Sequence, residues 1–176
     1  MATTHARSRQ IRTLDRLLTG MLPGMSDQAS EFLAAHAPSD VRKAIGWLFD
    51  NGYILASHDG GGTFGAQFVY EGQSLVRVTV DRSQWMLDIA AAAGSTLIQY
   101  DLAVAAHGGS TYGDCFPGTG RRSLAEPLPD QLPDGVSWRA TLPELLEWVR
   151  GSDVSQAVDV AQRQRSALMW GRRPTR

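Results

Sequence analysis

The chain has 176 residues, of which 43% are hydrophobic and 20% charged, and its formal net charge is −1 at pH 7. This length and composition predict one soluble domain with a sizeable core, and the lack of net positive charge speaks against nucleic acid as a partner. The sequence contains neither an apolar run of about 18 residues, as a membrane span requires, nor the apolar core of a secretory signal, so we expect a cytoplasmic protein with no membrane partner.

The first part of the chain, residues 1–52, is predicted to be helical. A first helix ends at Pro23-Gly24 and carries apolar residues at helical spacing, namely Ile11, Leu14, Leu17, Leu18 and Met21. A second helix runs over about 26–36. A third begins at Ser39, its predicted N-cap, and ends with Gly52 in the C-terminal cap position.

Residues 53–90 are predicted to form an antiparallel β-meander. The segment "HDGGGTFG" (58–65) contains the pattern G-x-G-x-x-G, but a phosphate-binding loop of this kind must be followed by a helix. Here "AQFVYEG" follows, which is aromatic and β-branched, so the pattern indicates a hairpin whose glycines supply positive φ angles. The next segments, "SLVRVTV" (74–80) and "WMLDIA" (85–90), alternate with period two, which predicts strands with one wet face.

The remainder of the chain is less regular. Within 91–107, "STLIQY" favours a fifth strand and "DLAVAAH" a short helix, and both alternatives stay open for this stretch. Residues 108–135 are dense in glycine and proline and predict a long loop. A capping box, Thr141 to Glu144, is expected to open the next helix, and a last helix starts at Ser152 or Asp153, with Val154, Ala157, Val158 and Ala161 on one stripe.

These elements predict an α+β fold with a central antiparallel meander of four to five strands and with N-terminal and C-terminal helices. We expect a single domain over 1–176. Its parts are a helical segment (1–52), the β-meander (53–90), a mixed and loop-rich segment (91–140), a helical segment (141–170) and a basic tail (171–176).

The single cysteine, Cys115, excludes an internal disulfide and a cysteine zinc cluster. With His107 as base and Asp114 as the group that orients it, Cys115 could form a nucleophilic site. No oxyanion hole or family signature surrounds it, so a small packing residue is the better interpretation. A small enzyme or ligand-binding protein that uses the His107–Cys115 loop remains the alternative function.

Other candidate chemistry receives little support from the residue spacing. The four histidines, His5, His36, His58 and His107, show no spacing typical of a metal site, so we expect no catalytic residue, no metal and no cofactor. Trp138, Trp148 and Trp170 are predicted to pack in the core or between helices, with partner contact as the alternative.

Two loops combine glycine, small polar residues and aromatics, which is typical of adaptable recognition loops. The first candidate for partner binding is the loop in "HGGSTYGDCF" (107–116), the second the hairpin tip at 58–65. The candidate partner-binding residues are His107, Gly108, Gly109, Ser110, Thr111 and Tyr112 in the first loop, and His58, Asp59 and Phe64 at the tip.

The strands "VRVTVDRSQWMLDIA", which follow the helical "FLAAHAPSDVRKAIGWLFDNGY", carry a family resemblance. In these segments and in size, the chain resembles small immunity proteins of actinobacterial polymorphic toxin systems, among them the immunity factors of the tuberculosis necrotizing toxin. The resemblance implies a non-enzymatic antitoxin that binds a cognate toxin in the cytoplasm as a heterodimer. It further implies that the toxin is an NAD⁺ glycohydrolase whose substrate pocket the antitoxin obstructs. The near-neutral net charge agrees with a toxin that is not a strongly basic nuclease.

Overall fold

A computed structural model describes residues 27–62, 65–117, 119 and 136–170. Its helices are α1 (Asp27–His36), α2 (Ser39–Asp50), α3 (Tyr100–His107), α4 (Tyr112–Cys115), α5 (Trp138–Trp148) and α6 (Val154–Met169). Its strands are β1 (Ile54–Gly62), β2 (Gly65–Glu71), β3 (Leu75–Asp81), β4 (Gln84–Ala90) and β5 (Ile98–Gln99). The predicted first helix, most of the predicted loop 108–135 and the tail 171–176 lie outside the described residues.

The α+β prediction is confirmed, because the five strands form one antiparallel sheet in the order β1-β2-β3-β4-β5 with helices at both flanks. The fifth strand and the helix predicted within 91–107 are both present, one directly after the other. The β3–β4 connection is a two-residue turn, in which Arg82 (φ 47°) and Ser83 (φ 68°) both have positive φ. This backbone matches the right-handed twist of the flanking strands.

One face of the sheet forms the main core with α1, α2 and α5. It is the face on which the alternating apolar residues of the strands lie. Its fully buried large side chains include Phe68, Tyr70, Val76, Val78, Leu87 and Ile89. Burial of each aliphatic or phenylalanine side chain among them stabilises the fold by about 1.5–3 kcal/mol relative to an exposed position.

The second face of the sheet was predicted to be solvent-exposed, and this is wrong at Asp88 in β4, which is only 7% exposed. Arg77 lies directly opposite on β3, and its Nε and Nη2 donate to Asp88 Oδ2 over 3.0 and 2.7 Å. On the other side β5 covers Asp88 through Gln99. Burial raises the pKa of the Asp88 carboxyl above its ordinary 3.8, nearby Asp101 adds to this, and Arg77 opposes it.

A pH-dependent contribution to stability follows from this raised pKa. Because the folded protein binds a proton at Asp88 more readily than the unfolded chain does, the contribution of Asp88 becomes more favourable as pH falls toward 3.8. The free energy of unfolding of the wild type minus that of Asp88→Asn should therefore increase from about pH 7 to about pH 4 in urea titrations. Carboxyl groups that do not interact with Asp88 cancel in this difference, and a difference that stays constant or decreases contradicts the prediction.

The predicted N-cap of α5 at Thr141 is wrong, because the N-cap lies four residues earlier and the helix begins at Trp138. Ser137 is the N-cap, and its Oγ accepts a hydrogen bond from the backbone N–H of Ala140 over 3.2 Å. The N–H of buried Trp138 donates to Asp40 Oδ2 on α2 over 2.8 Å, so a distant side chain also caps this helix. Pro143 consequently lies inside the helix instead of at its first turn.

The N-cap of the third predicted helix lies one residue earlier than predicted. Pro38 occupies the N-cap position of α2, and Ser39, the predicted cap, is the first helical residue. Gly52 follows the helix with φ +83°, as predicted for a C-terminal cap glycine.

Candidate functional site

Gly60 and Gly65 at the hairpin tip have positive φ, as predicted, and both also allow a close backbone approach. A Cβ at Gly60 (φ +87°) would lie 2.5 Å from the carbonyl oxygen of Gly65, and one at Gly65 (φ +141°) would lie 2.5 Å from that of Val80. Strand β2 follows the tip directly. A helix N-terminus that could hold a phosphate therefore does not follow the G-x-G-x-x-G pattern.

The partner-binding candidates at this tip differ in accessibility. Asp59 is exposed, whereas His58 is half-buried on the core face with its ring stacked on Phe68 at 4.8 Å between centroids. Its Nε2 is buried and has no hydrogen-bond partner among the described residues. Phe64 lies outside the described residues.

The first candidate loop lies at the opposite edge of the sheet from the hairpin tip. The tip belongs to β1, at one edge, whereas α3, which leads into the loop, packs against β4 and β5 at the other. The structure thus brings the six residues 107–112 together but does not bring the two loops together. A partner that contacts an area the size of one loop can therefore touch the hairpin tip or the loop 107–112, but not both.

The loop between α3 and α4 is exposed from His107 to Thr111. Gly109 has φ +64°, a conformation that turns the chain away from the end of α3. At the other end, Thr111 Oγ1 accepts the backbone N–H of Asp114 over 3.2 Å and donates to its Oδ2 over 2.6 Å, so Thr111 caps α4. The His107 ring stands edge-on to Trp148 at 5.8 Å between centroids.

Tyr112 was predicted to bind the partner, but it is 1% exposed and instead holds the C-terminal end of the loop in place. Its hydroxyl donates to Asp101 Oδ2 over 2.6 Å, and its backbone N–H donates to Gln164 Oε1 on α6 over 2.8 Å. Its ring stacks on Phe116 at 4.8 Å. Burial and the neighbouring Asp101 carboxylate raise the pKa of the phenol, so Tyr112 remains a hydrogen-bond donor.

Asp101 on α3 connects this anchor to α6. Its Oδ2 also accepts a hydrogen bond from Arg165 Nη1 over 2.8 Å, and the same nitrogen donates to Gln99 Oε1 over 2.5 Å. The other oxygen, Asp101 Oδ1, is buried and has no hydrogen-bond partner among the described residues. The exposed loop is therefore held at its base by a buried polar network that joins α3, α4 and α6.

A groove of about 400 Å³ lies between this loop and α6. Small residues line one wall, namely Ala105, Ala106, Gly109, Ser110 and Thr111. The other wall consists of the α6 residues Gln156, Ala157, Val160, Ala161 and Gln164 and of Asp153, the N-cap of that helix. Within the described residues, Asp153 is the one charged side chain in this lining. Small side chains leave room for side chains of another molecule, and the carboxamide groups offer hydrogen bonds.

The alternative site at His107 and Cys115 receives no support from the described contacts. His107 lies against Trp148, whereas Cys115 packs against the cluster of Leu102, Tyr112 and neighbouring side chains. Burial, with Asp114 beside it, raises the pKa of the Cys115 thiol. A nucleophilic cysteine requires the opposite shift, since the thiolate is the reactive form.

Sequence reasoning missed several exposed apolar residues in and directly after α6. Trp138 and Trp148 pack in the core as predicted, but the core prediction is wrong for Trp170, which is 75% exposed. Val160 and Leu168 on the same helix are 41% and 37% exposed. Val160 lies beside the Val154–Ala161 stripe, whereas Leu168, seven residues after Ala161, continues it, so the helical spacing carried no signal for the exposure of Leu168.

Among the described residues there is no group of three or more His, Cys, Asp or Glu that could hold a metal ion. In the same part of the chain, no helix has both the length and the apolar character to cross a bilayer. No family model, no characterised protein and no solved structure matches the chain.

Proposed function

We propose that this protein is a non-enzymatic inhibitor that binds a partner protein through the loop Gly108–Thr111 and the adjoining groove on α6. The observation that carries the proposal is an exposed loop of small residues whose base is fixed by the buried Tyr112. Gly and Ser add little bulk, so such a loop can enter a cleft of the partner, while the groove receives side chains of the partner in return.

The polar network at the base of the loop supports this function energetically. Binding orders flexible segments at a cost in entropy, and a loop held in place before binding avoids part of that cost. Tyr112 joins the loop to Asp101 through its hydroxyl and to Gln164 through its backbone N–H. The loop is thereby connected to two helices and not only to its neighbours in sequence.

The family resemblance supplies the specific form of the proposal. In that form the protein is an immunity protein that binds its cognate toxin in the cytoplasm as a heterodimer and obstructs the toxin's substrate pocket. The toxin is an NAD⁺ glycohydrolase. A net charge of −1 provides little long-range electrostatic steering, so we expect the specificity to come from the fit of the loop and from the polar contacts of the groove.

Co-purification with the product of the neighbouring gene tests the proposal, followed by an assay of NAD⁺ hydrolysis with and without this protein. We expect a stable 1:1 complex and suppressed hydrolysis at stoichiometric amounts. If the neighbouring protein hydrolyses NAD⁺ and is unaffected by this chain, or if the two do not associate, the proposed function is wrong.

A further inference from the structure

The groove between the loop and α6 combines an apolar surface with a polar rim. Ala105 and Ala161, both buried, lie at its base, and Ala157 and the exposed Val160 continue the apolar surface along α6. The exposed Gln156 adds a carboxamide at the rim. A volume of about 400 Å³ is within the range of clefts that hold ligands, so a long side chain fits together with part of the segment that carries it.

Helices α3 and α6 run antiparallel along this groove. Asp101 at the start of α3 pairs with Arg165 in the second half of α6. One turn further along α3, Ala105 packs in the same cluster as Ala161, which lies one turn earlier on α6. The C-terminal end of α3 therefore lies beside the N-terminal half of α6. Helix ends of these two kinds carry partial charges of opposite sign and offset each other, so a full charge nearby determines the sign of the potential.

Asp153 supplies this full charge. It is exposed, and its carboxylate takes part in none of the ion pairs among the described residues. Its Oδ1 accepts a hydrogen bond from the hydroxyl of Ser152 over 3.3 Å. Although Asp153 is the N-cap of α6, its side chain accepts no hydrogen bond from the first turn of the helix. The carboxylate is therefore available to a group of another molecule.

The arginines near Asp153 in the described part of the chain do not neutralise it. Arg150 and Arg165 each have a carboxylate partner of their own. Arg163 is exposed but follows Asp153 by ten residues, which is about 15 Å along a helix. Charges in solvent at this separation are largely screened, because the Debye length is about 8 Å at physiological ionic strength. The groove is consequently negative at its Asp153 end.

An arginine side chain matches both parts of such a groove. Its methylene stem covers apolar surface while its charged head stays at the water-exposed end. The planar guanidinium forms two parallel hydrogen bonds with a carboxylate. An acidic side chain would be repelled by Asp153, and a wholly apolar one would remove water from the Asp153 carboxylate and the Gln156 carboxamide without replacing their hydrogen bonds.

We infer that the groove receives an arginine side chain of the partner protein, with its stem against Ala157 and Val160 and its guanidinium on Asp153. The partner is then expected to carry this arginine beside the cleft that the loop enters. The identity of the occupant as a partner residue rests on the proposed function, whereas the affinity of the groove for a guanidinium does not.

Nuclear magnetic resonance of the full chain tests the groove without a partner. N-acetyl-arginine amide is added up to about 100 mM at constant ionic strength, because a single side chain binds weakly. N-acetyl-citrulline amide, whose side chain has a similar shape and no charge, is the control ligand. We expect saturable shifts of the backbone amide signals of Gly109, Ala157 and Val160 with the arginine compound and none with the citrulline compound.

Asp153→Asn should abolish these shifts, because it removes the carboxylate while asparagine remains a favourable N-cap residue. The matched control is Asp159→Asn, which makes the same chemical change at an exposed position of α6 outside the groove lining and should keep the shifts. Circular dichroism verifies that both variants are folded. Absence of the shifts in the wild type, or their persistence in Asp153→Asn, overturns the inference.

The same two variants test the arginine contact in the inhibitory complex. Asp153→Asn should raise the concentration of this protein that halves NAD⁺ hydrolysis at least about tenfold, whereas Asp159→Asn should leave it unchanged. Equal effects of the two variants overturn the inferred contact. A wild type that binds the arginine compound but does not inhibit the enzyme contradicts the proposed function and leaves the guanidinium site established, so the two failures are distinguishable.

Discussion

Replacing Ser110 by arginine is expected to reduce inhibition of the partner enzyme by at least about 100-fold, because it places a bulky charge in the centre of a close-fitting contact. Ser110 is exposed and lines the groove between the loop and α6. An arginine there obstructs entry of the loop into a cleft and also fills the groove. The measurement is the concentration of this protein that halves NAD⁺ hydrolysis by the co-purified enzyme.

The matched control for this prediction is Ser155→Arg, which makes the same chemical change at an exposed position outside the groove. Both variants should unfold in urea at nearly the wild-type midpoint, since neither removes a buried contact. Ser110 is preferred over Gly109 as the target, because Gly109 has φ +64° and a side chain there would also strain the backbone. Full inhibition by Ser110→Arg would show that another surface binds the partner.

Truncating Asp101 to alanine is expected to lower the free energy of unfolding by about 3–5 kcal/mol, the usual loss when one member of a buried ion pair is removed. The Arg165 guanidinium, whose side chain is only 18% exposed, would lose its carboxylate partner. The hydroxyl of Tyr112 would lose its acceptor at the same time. Urea unfolding followed by circular dichroism measures the change.

The double variant Asp101→Ala/Arg165→Met is the control, because it removes the Arg165 guanidinium as well as the Asp101 carboxylate and so leaves no unpaired charge. We expect it to be more stable than Asp101→Ala alone by about 1 kcal/mol or more. Amide hydrogen exchange gives a second measurement. The backbone N–H of Tyr112 donates a hydrogen bond to Gln164, and it should exchange faster in Asp101→Ala than in the wild type. Unchanged stability and exchange would mean that the network does not fix the loop.

Much of the fold could be predicted from the sequence, because it depends on local patterns. The alternation of Val76, Val78 and Val80 with polar residues predicted β3, and the glycines at 60–65 predicted a hairpin. The start of α5 could not be predicted in this way. Asp40, which caps it, lies 98 residues before Trp138, and only the tertiary structure brings the two together.

The same distinction between local and distant contacts applies to the candidate site. The composition of 107–112 indicated an exposed recognition loop, and His107 to Thr111 are exposed. The sequence did not indicate that Tyr112 is buried, because its partners Asp101 and Gln164 belong to different helices. Nor did it indicate the groove, whose two walls are about 50 residues apart in the chain.

The order of the strands has a consequence for the rate of folding. Every strand pairs with the next one along the chain, so each hairpin closes only a short loop and the sheet has a low contact order. We expect the meander to form early, on the fast time scale of hairpins, about microseconds. Docking of α5 onto α2 must close a loop of nearly 100 residues, so we expect it to be the late step in folding.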